Sequence, residues 1–136
     1  MKTVYPTIFT QTENEVLVEV PDMKIFTEGK NKLDAIEMAR DAIGLKGITL
    51  EDMELEIPKA SELENIELSS GTFVENGFSY ISLVDVDFEE YRRRIDNKAV
   101  RRNVTLPNWL NREAEKANIN VSRVLQEALI AKLNIL

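Results

Sequence analysis

The chain contains neither cysteine nor histidine. Without cysteine there is no disulfide framework and no thiolate nucleophile. Without histidine the commonest general base and the commonest transition-metal ligand are missing, and the usual zinc sites go with them. No metal or cofactor is expected. Glycine is scarce, at five residues, and Ser69-Ser70-Gly71 lacks the further glycines and the lysine of a phosphate-cradling loop. No apolar run approaches a membrane span, and no charged-then-apolar leader precedes a small-residue cleavage site, so a cytoplasmic location is expected. Neither repeats nor low-complexity segments are visible.

Charge is plentiful and unevenly spread. The 136 residues carry a net charge of −7. From Arg92 onward there are ten basic and four acidic residues, or +6, whereas residues 1–91 hold seven basic and 20 acidic ones, or −13. Such a reversal suggests a basic end for a polyanion and an acidic end for a basic partner. The length suits one ordinary domain or two small ones.

Taken in order, Lys2–Thr10 and Glu15–Val20 alternate like strands, with Gln11–Asn14 of hairpin-loop length between them. Pro21-Asp22 turns the chain, and Lys24–Glu28 adds a third strand. Asn31 is the expected N-cap of a helix over Lys32–Ile43, with Leu33, Ile36, Ala39 and Ile43 as its apolar stripe and Gly44 as its C-cap. Lys46–Ser70 is irregular, with weak helical signals near Thr49–Glu54 and Ala60–Asn65. Thr72–Val86 is strand-like, interrupted by a Glu75-Asn76-Gly77 turn. Both faces of Phe78–Val86 are apolar, as in a strand covered on both sides. Asp87–Asn97 reads as a short helical connector.

The last stretch, Ala99–Leu133, reads as a strand followed by two helices. The strand is Val100–Leu106, and Pro107 ends it and opens the first helix, which runs to about Ala117. Ser122 is the expected N-cap of the second helix, which carries Val124, Leu125, Ala128, Leu129 and Leu133 on one stripe. A lone strand needs a partner for its backbone, and the cheapest is a second copy paired antiparallel about a two-fold axis. Alternation puts Val104 and Leu106 inward with Trp109, Leu125 and Leu129 as a dimer core. It puts Arg101, Asn103 and Thr105 outward on a two-stranded ribbon that fits the DNA major groove, where these side chains contact base edges. Ser122 and Arg123, at the helix N-terminus, are expected to contact DNA phosphate, although capping alone would explain Ser122.

Other clusters read more plainly. Asp85, Asp87, Glu89 and Glu90 could hold Mg²⁺ for nuclease chemistry, but two-metal work needs carboxylates converging from separated segments. A solvated strand end and a helix cap explain them. Glu51–Glu56 lacks EF-hand spacing. No catalytic residue is assigned, and the chain is not expected to be an enzyme.

Arg101-Arg102-Asn103-Val104-Thr105-Leu106-Pro107, followed by Val121–Leu129, resembles the ribbon-helix-helix of bacterial antitoxins and repressors. With the β-β-β-α-β opening, Pro58 in an irregular segment and a strand ending Val84-Asp85-Val86-Asp87, nearly the whole chain resembles the HicB antitoxin family. That resemblance implies an α+β protein. Residues 1–88 would form a partial RNase H-like domain without nuclease activity, 89–98 a linker, and 99–136 a dimerising ribbon-helix-helix DNA-binding domain. The first domain would bind and neutralise a HicA toxin, a small basic mRNA interferase. The second would bind operator DNA and repress the operon, as a homodimer or a higher even-numbered oligomer such as a tetramer. The alternative is a stand-alone ribbon-helix-helix repressor with a ligand-sensing N-terminal domain.

Overall fold

The computed structural model describes residues 1–96 and 99–135. The chain divides into two units, residues 1–98 and 99–136. Asn97 and Lys98 of the expected linker, and Leu136 of the expected second domain, lie outside the described residues.

The first unit is one four-stranded sheet with helices. Its strands are β1 (Lys2–Gln11), β2 (Val16–Val20), β3 (Ile25–Gly29) and β4 (Phe78–Asp87), in the order β3-β2-β1-β4. All three pairings are antiparallel. The expected meander is present, and β4 adds to the free side of β1 over its whole length, from Lys2 opposite Asp87 to Gln11 opposite Phe78. β2 pairs only with Ile8–Gln11. Pro6 therefore lies where β1 is flanked on one side only, a position in which a strand tolerates proline.

Helix α1 (Lys32–Asp52) begins as expected. The Asn31 side chain accepts from the Asp34 amide at 2.8 Å, and the Asp34 carboxylate accepts from the Lys30 amide at 2.8 Å. Its end differs from the sequence reading. Gly44 is no C-cap, because α1 continues through Gly44 and Gly47 to Asp52. Both glycines are buried where a second helix, α2 (Phe88–Ile95), seats its rings. A Cβ on Gly44 would stand 2.6 Å from the Tyr91 ring, and one on Gly47 2.1 Å from the Phe88 ring. The apolar stripe also shifts. Leu33 is exposed, and the residues facing the sheet are the small ones, Ala35 and Ala39, together with Ile43.

The core joins Tyr5 and Phe9 of β1, the three valines of β2, Val84 and Val86 of β4, and Phe88 of α2. Phe88 and Tyr91 are buried, so α2 belongs to the first unit, and the expected connector over 89–98 is for most of its length a packed helix. A further correction concerns β4. It is an edge strand, and Phe78 and Leu83 are exposed rather than covered.

Between α1 and β4 the chain is irregular apart from short 3-10 turns at Leu63–Asn65, Leu68–Ser70 and Val74–Asn76. Two carboxylates tie it down. Asp22 accepts from the Ser61 amide and hydroxyl at 2.7 and 2.6 Å. Glu19 accepts from the Thr72 amide and hydroxyl at 2.8 and 3.1 Å. Such charge-assisted bonds substitute for the ladder that this segment lacks.

The second unit contains α3 (Asn108–Lys116) and α4 (Val121–Leu133). Asn118 and Asn134 end them in left-handed conformations, at φ 56 and 60, which asparagine tolerates well.

Candidate functional site

In the second unit the structure places no strand at 100–106 within one chain. Arg101, Asn103 and Thr105 are all exposed. Val104 is 51% exposed and Leu106 half-buried, so burial in a single chain does not separate the two expected faces. Trp109, read from the sequence as core, is 67% exposed, and Leu125 and Leu129 also lie open. The reason is size. None of the described residues of this unit is buried, and two short helices with a preceding segment cannot enclose a core.

The cap of α4 is corrected as well. Asn120, not Ser122, is the N-cap, and its side chain accepts from the Arg123 amide at 3.1 Å. Asparagine reaches the third helical amide from an extended backbone, so the helix starts two residues earlier than its serine implied. Ser122 thus sits inside the first turn. The Arg123 guanidinium reaches Glu127 at 3.2 Å, an exposed pair one turn apart that a stronger acceptor can displace.

In the first unit a cavity of about 860 Å³, open to solvent on one side, lies at the junction of β1, the end of α1 and the start of α2. Leu55, Ile57 and Phe88 supply apolar lining, and Glu51, Glu56 and Glu89 stand on its wall. Tyr5 closes one side. Its hydroxyl donates to the Pro58 carbonyl at 2.6 Å, and burial, with Asp22 nearby, pushes its phenol above the ordinary value. Reading the sequence did not single out this cavity. Its lining comes from three separate stretches of chain, residues 1–5, 51–60 and 88–89, and no local pattern joins them.

The acidic residues at the end of β4 turn out to be employed one by one. Asp85 accepts from Arg40 at 2.8 Å, which holds its carboxyl below the usual range. Asp87 caps α2, accepting from the Glu89 and Glu90 amides. Glu89 lies 3.4 Å from the Met1 amine. Among the described residues no group of three or more acidic side chains is arranged to hold a metal ion. No described helix is long and apolar enough to cross a membrane.

Two antitoxin-related structures are similar to the chain. One, described as a toxin–antitoxin complex from Streptococcus pneumoniae, is 24% identical with a TM-score of 0.59, covering 97% of this chain and 99% of that one. The other, the antitoxin HicB of Burkholderia pseudomallei, is 24% identical with a TM-score of 0.51, covering 97% of each chain. At that identity they establish a shared fold. A search of curated proteins finds no significant match. The family model for the HicB-like antitoxin of bacterial toxin–antitoxin systems matches residues 5–133, and the chain belongs to that family.

Proposed function

We propose that the chain is a bifunctional antitoxin. The first unit, read as the partial RNase H-like domain, binds and neutralises a HicA-type mRNA interferase and has no catalysis of its own. The second pairs with a second copy as a ribbon-helix-helix, binds operator DNA and represses its own operon. The observation that carries the second role is the bareness of the unit. Trp109, Leu125, Leu129 and Val104 are exposed together on a segment that is itself basic, with six basic and three acidic residues over 99–136. A second copy would bury these side chains and give the backbone of 100–106 its missing ladder. It would set Arg101, Asn103 and Thr105 in the major groove, with Ser122 and Arg123 at phosphate. The −13 charge of residues 1–91 supports a basic partner for the first role.

The deciding experiment replaces Arg101 and Asn103 with Ala and measures operator and toxin binding separately. Operator binding should be lost and toxin binding kept. Joint loss, or no change in either, would sink the division of labour.

The alternative, a stand-alone repressor sensing a small ligand, is favoured by the cavity, whose volume of about 860 Å³ is of ligand size. Co-expression with the adjacent gene decides between the two. A stable complex of defined mass supports the antitoxin, and a chain that purifies alone supports the sensor.

A further inference from the structure

Many carboxylates of the first unit are employed by the fold. Asp22 holds Ser61, Glu19 holds Thr72, Asp41 accepts from the Tyr91 hydroxyl, Asp85 pairs with Arg40 and Asp87 caps α2. One segment differs. Residues 51–67 contain seven acidic side chains and a single basic one, Lys59. Asp52 pairs with Arg92 at 3.0 Å. The other six, Glu51, Glu54, Glu56, Glu62, Glu64 and Glu67, are exposed and have no side-chain hydrogen bond or ion pair among the described residues.

The same segment also leaves apolar side chains in water. Met53 is 62% and Leu55 51% exposed. Leu55 stands at the cavity mouth, with Glu51 and Glu56 beside it and Ile57 and Phe88 further in. Lys59 also lines the cavity, and the Met1 amine pairs with Glu89, so the unpaired charge at the mouth is Glu51 and Glu56 against one lysine. Apolar surface beside a segment that is predominantly acidic fits a partner segment of opposite charge with an apolar side. Lysine and arginine suit it well, since their stems can cover Met53 and Leu55 while their heads meet the carboxylates.

We propose that the cavity mouth and the segment from Glu51 to Glu67 form the docking surface for a basic, amphipathic segment of the toxin. This rests on the toxin-binding reading above and adds where the toxin sits. One apolar side chain of the partner enters the cavity against Leu55, Ile57 and Phe88. Basic side chains on either side pair with the six free carboxylates. Charge then sets the speed of association and its sensitivity to salt, and the cavity contact sets the lifetime of the complex.

The test uses the full chain and the product of the adjacent toxin gene, with association and dissociation rates measured at low and high salt. A triple variant, Glu54→Lys, Glu56→Lys and Glu64→Lys, should slow association about tenfold or more at low salt and flatten the salt dependence. Leu55→Ser should speed dissociation at both salt concentrations. A control with the same charge change elsewhere, Glu13→Lys, Glu37→Lys and Glu75→Lys, should stay within about threefold of the parent. Melting curves verify that each variant folds. Equal loss in control and triple variant, or no loss in the triple variant, overturns the surface while leaving toxin binding intact. A parent chain that does not bind the toxin overturns the antitoxin reading itself. A change in the mass of the free protein on charge reversal would make a second copy the occupant and also overturn the proposal.

Discussion

Phe88 occupies the space that a side chain on Gly47 would need. A Cβ there would lie 2.1 Å from the Phe88 ring, deep inside van der Waals contact. Three residues earlier on α1 and three later on α2, Gly44 and Tyr91 repeat the arrangement. The two glycines form a notch on one helix face, and the two rings, at matching spacing, fill it.

Gly47→Ala should therefore destabilise the first unit, although alanine is the better helix former by about 1 kcal/mol. Overpacking at a rigid ring costs about 1–3 kcal/mol. In a domain of this size each kcal/mol lowers Tm by roughly 4–8 °C. A thermal melt checks the sign, and a rise in Tm would mean that α2 does not pack as described.

Tyr91 provides a spectroscopic handle on the same contact. Its hydroxyl donates to Asp41 at 2.8 Å, and burial, together with Asp41, pushes its phenol up to about 12 against the smaller opposing effect of Arg94. In a spectrophotometric titration, Asp41→Asn should bring this phenol partway back toward 10.0, because burial, the larger cause, persists. Tyr91→Phe should remove the step and cost about 1 kcal/mol for the lost hydrogen bond.

Glu15 and Glu28 lie close together at the end of the β2–β3 pair, and a hydrogen bond that protonated Glu15 donates to the Glu28 carboxylate, with the repulsion between the two, raises the Glu15 carboxyl above its ordinary 4.5. A raised folded value means that the stabilisation is present at acid pH and is lost as pH rises through that value. Glu28→Gln should raise Tm at neutral pH, where two carboxylates otherwise repel. The gain should shrink as pH falls below 4.5. A gain independent of pH would show that repulsion is not its cause.

At the start of α4 two substitutions should separate capping from its neighbour. Asn120→Ala should cost about 1 kcal/mol of helix stability, whereas Ser122→Ala should change stability by less than about 0.5 kcal/mol. Circular dichroism during melting reads both. A reversed order would restore Ser122 as the cap.

The strands and the first cap were legible because each is local. Alternation marks β1, β2 and β3, and Asn31 with Asp34 marks the start of α1. The end of α1 was not legible, since Gly44 looks the same whether it stops a helix or makes room for Tyr91. That distinction depends on a residue 47 positions away, although the shared three-residue spacing of Gly44/Gly47 and Phe88/Tyr91 was a signal available to find it. The openness of Phe78 and Leu83 was hidden for a similar reason. Apolar residues on both faces of a strand imply cover, and a sequence does not say which copy of which chain supplies it. The cavity left no local signature, because Tyr5, Glu51, Leu55, Ile57 and Phe88 meet only in three dimensions.

The absence of any buried side chain among the described residues of the second unit makes that half sensitive to dosage. The first unit encloses its own core within one chain. On the dimer reading the second unit is completed only by meeting another copy, so its assembled fraction falls steeply as the protein is diluted. On the proposed division of labour, partial degradation of the pool would then relieve repression before it exhausted the toxin-binding halves, and fresh antitoxin would be made while the existing copies still held their targets.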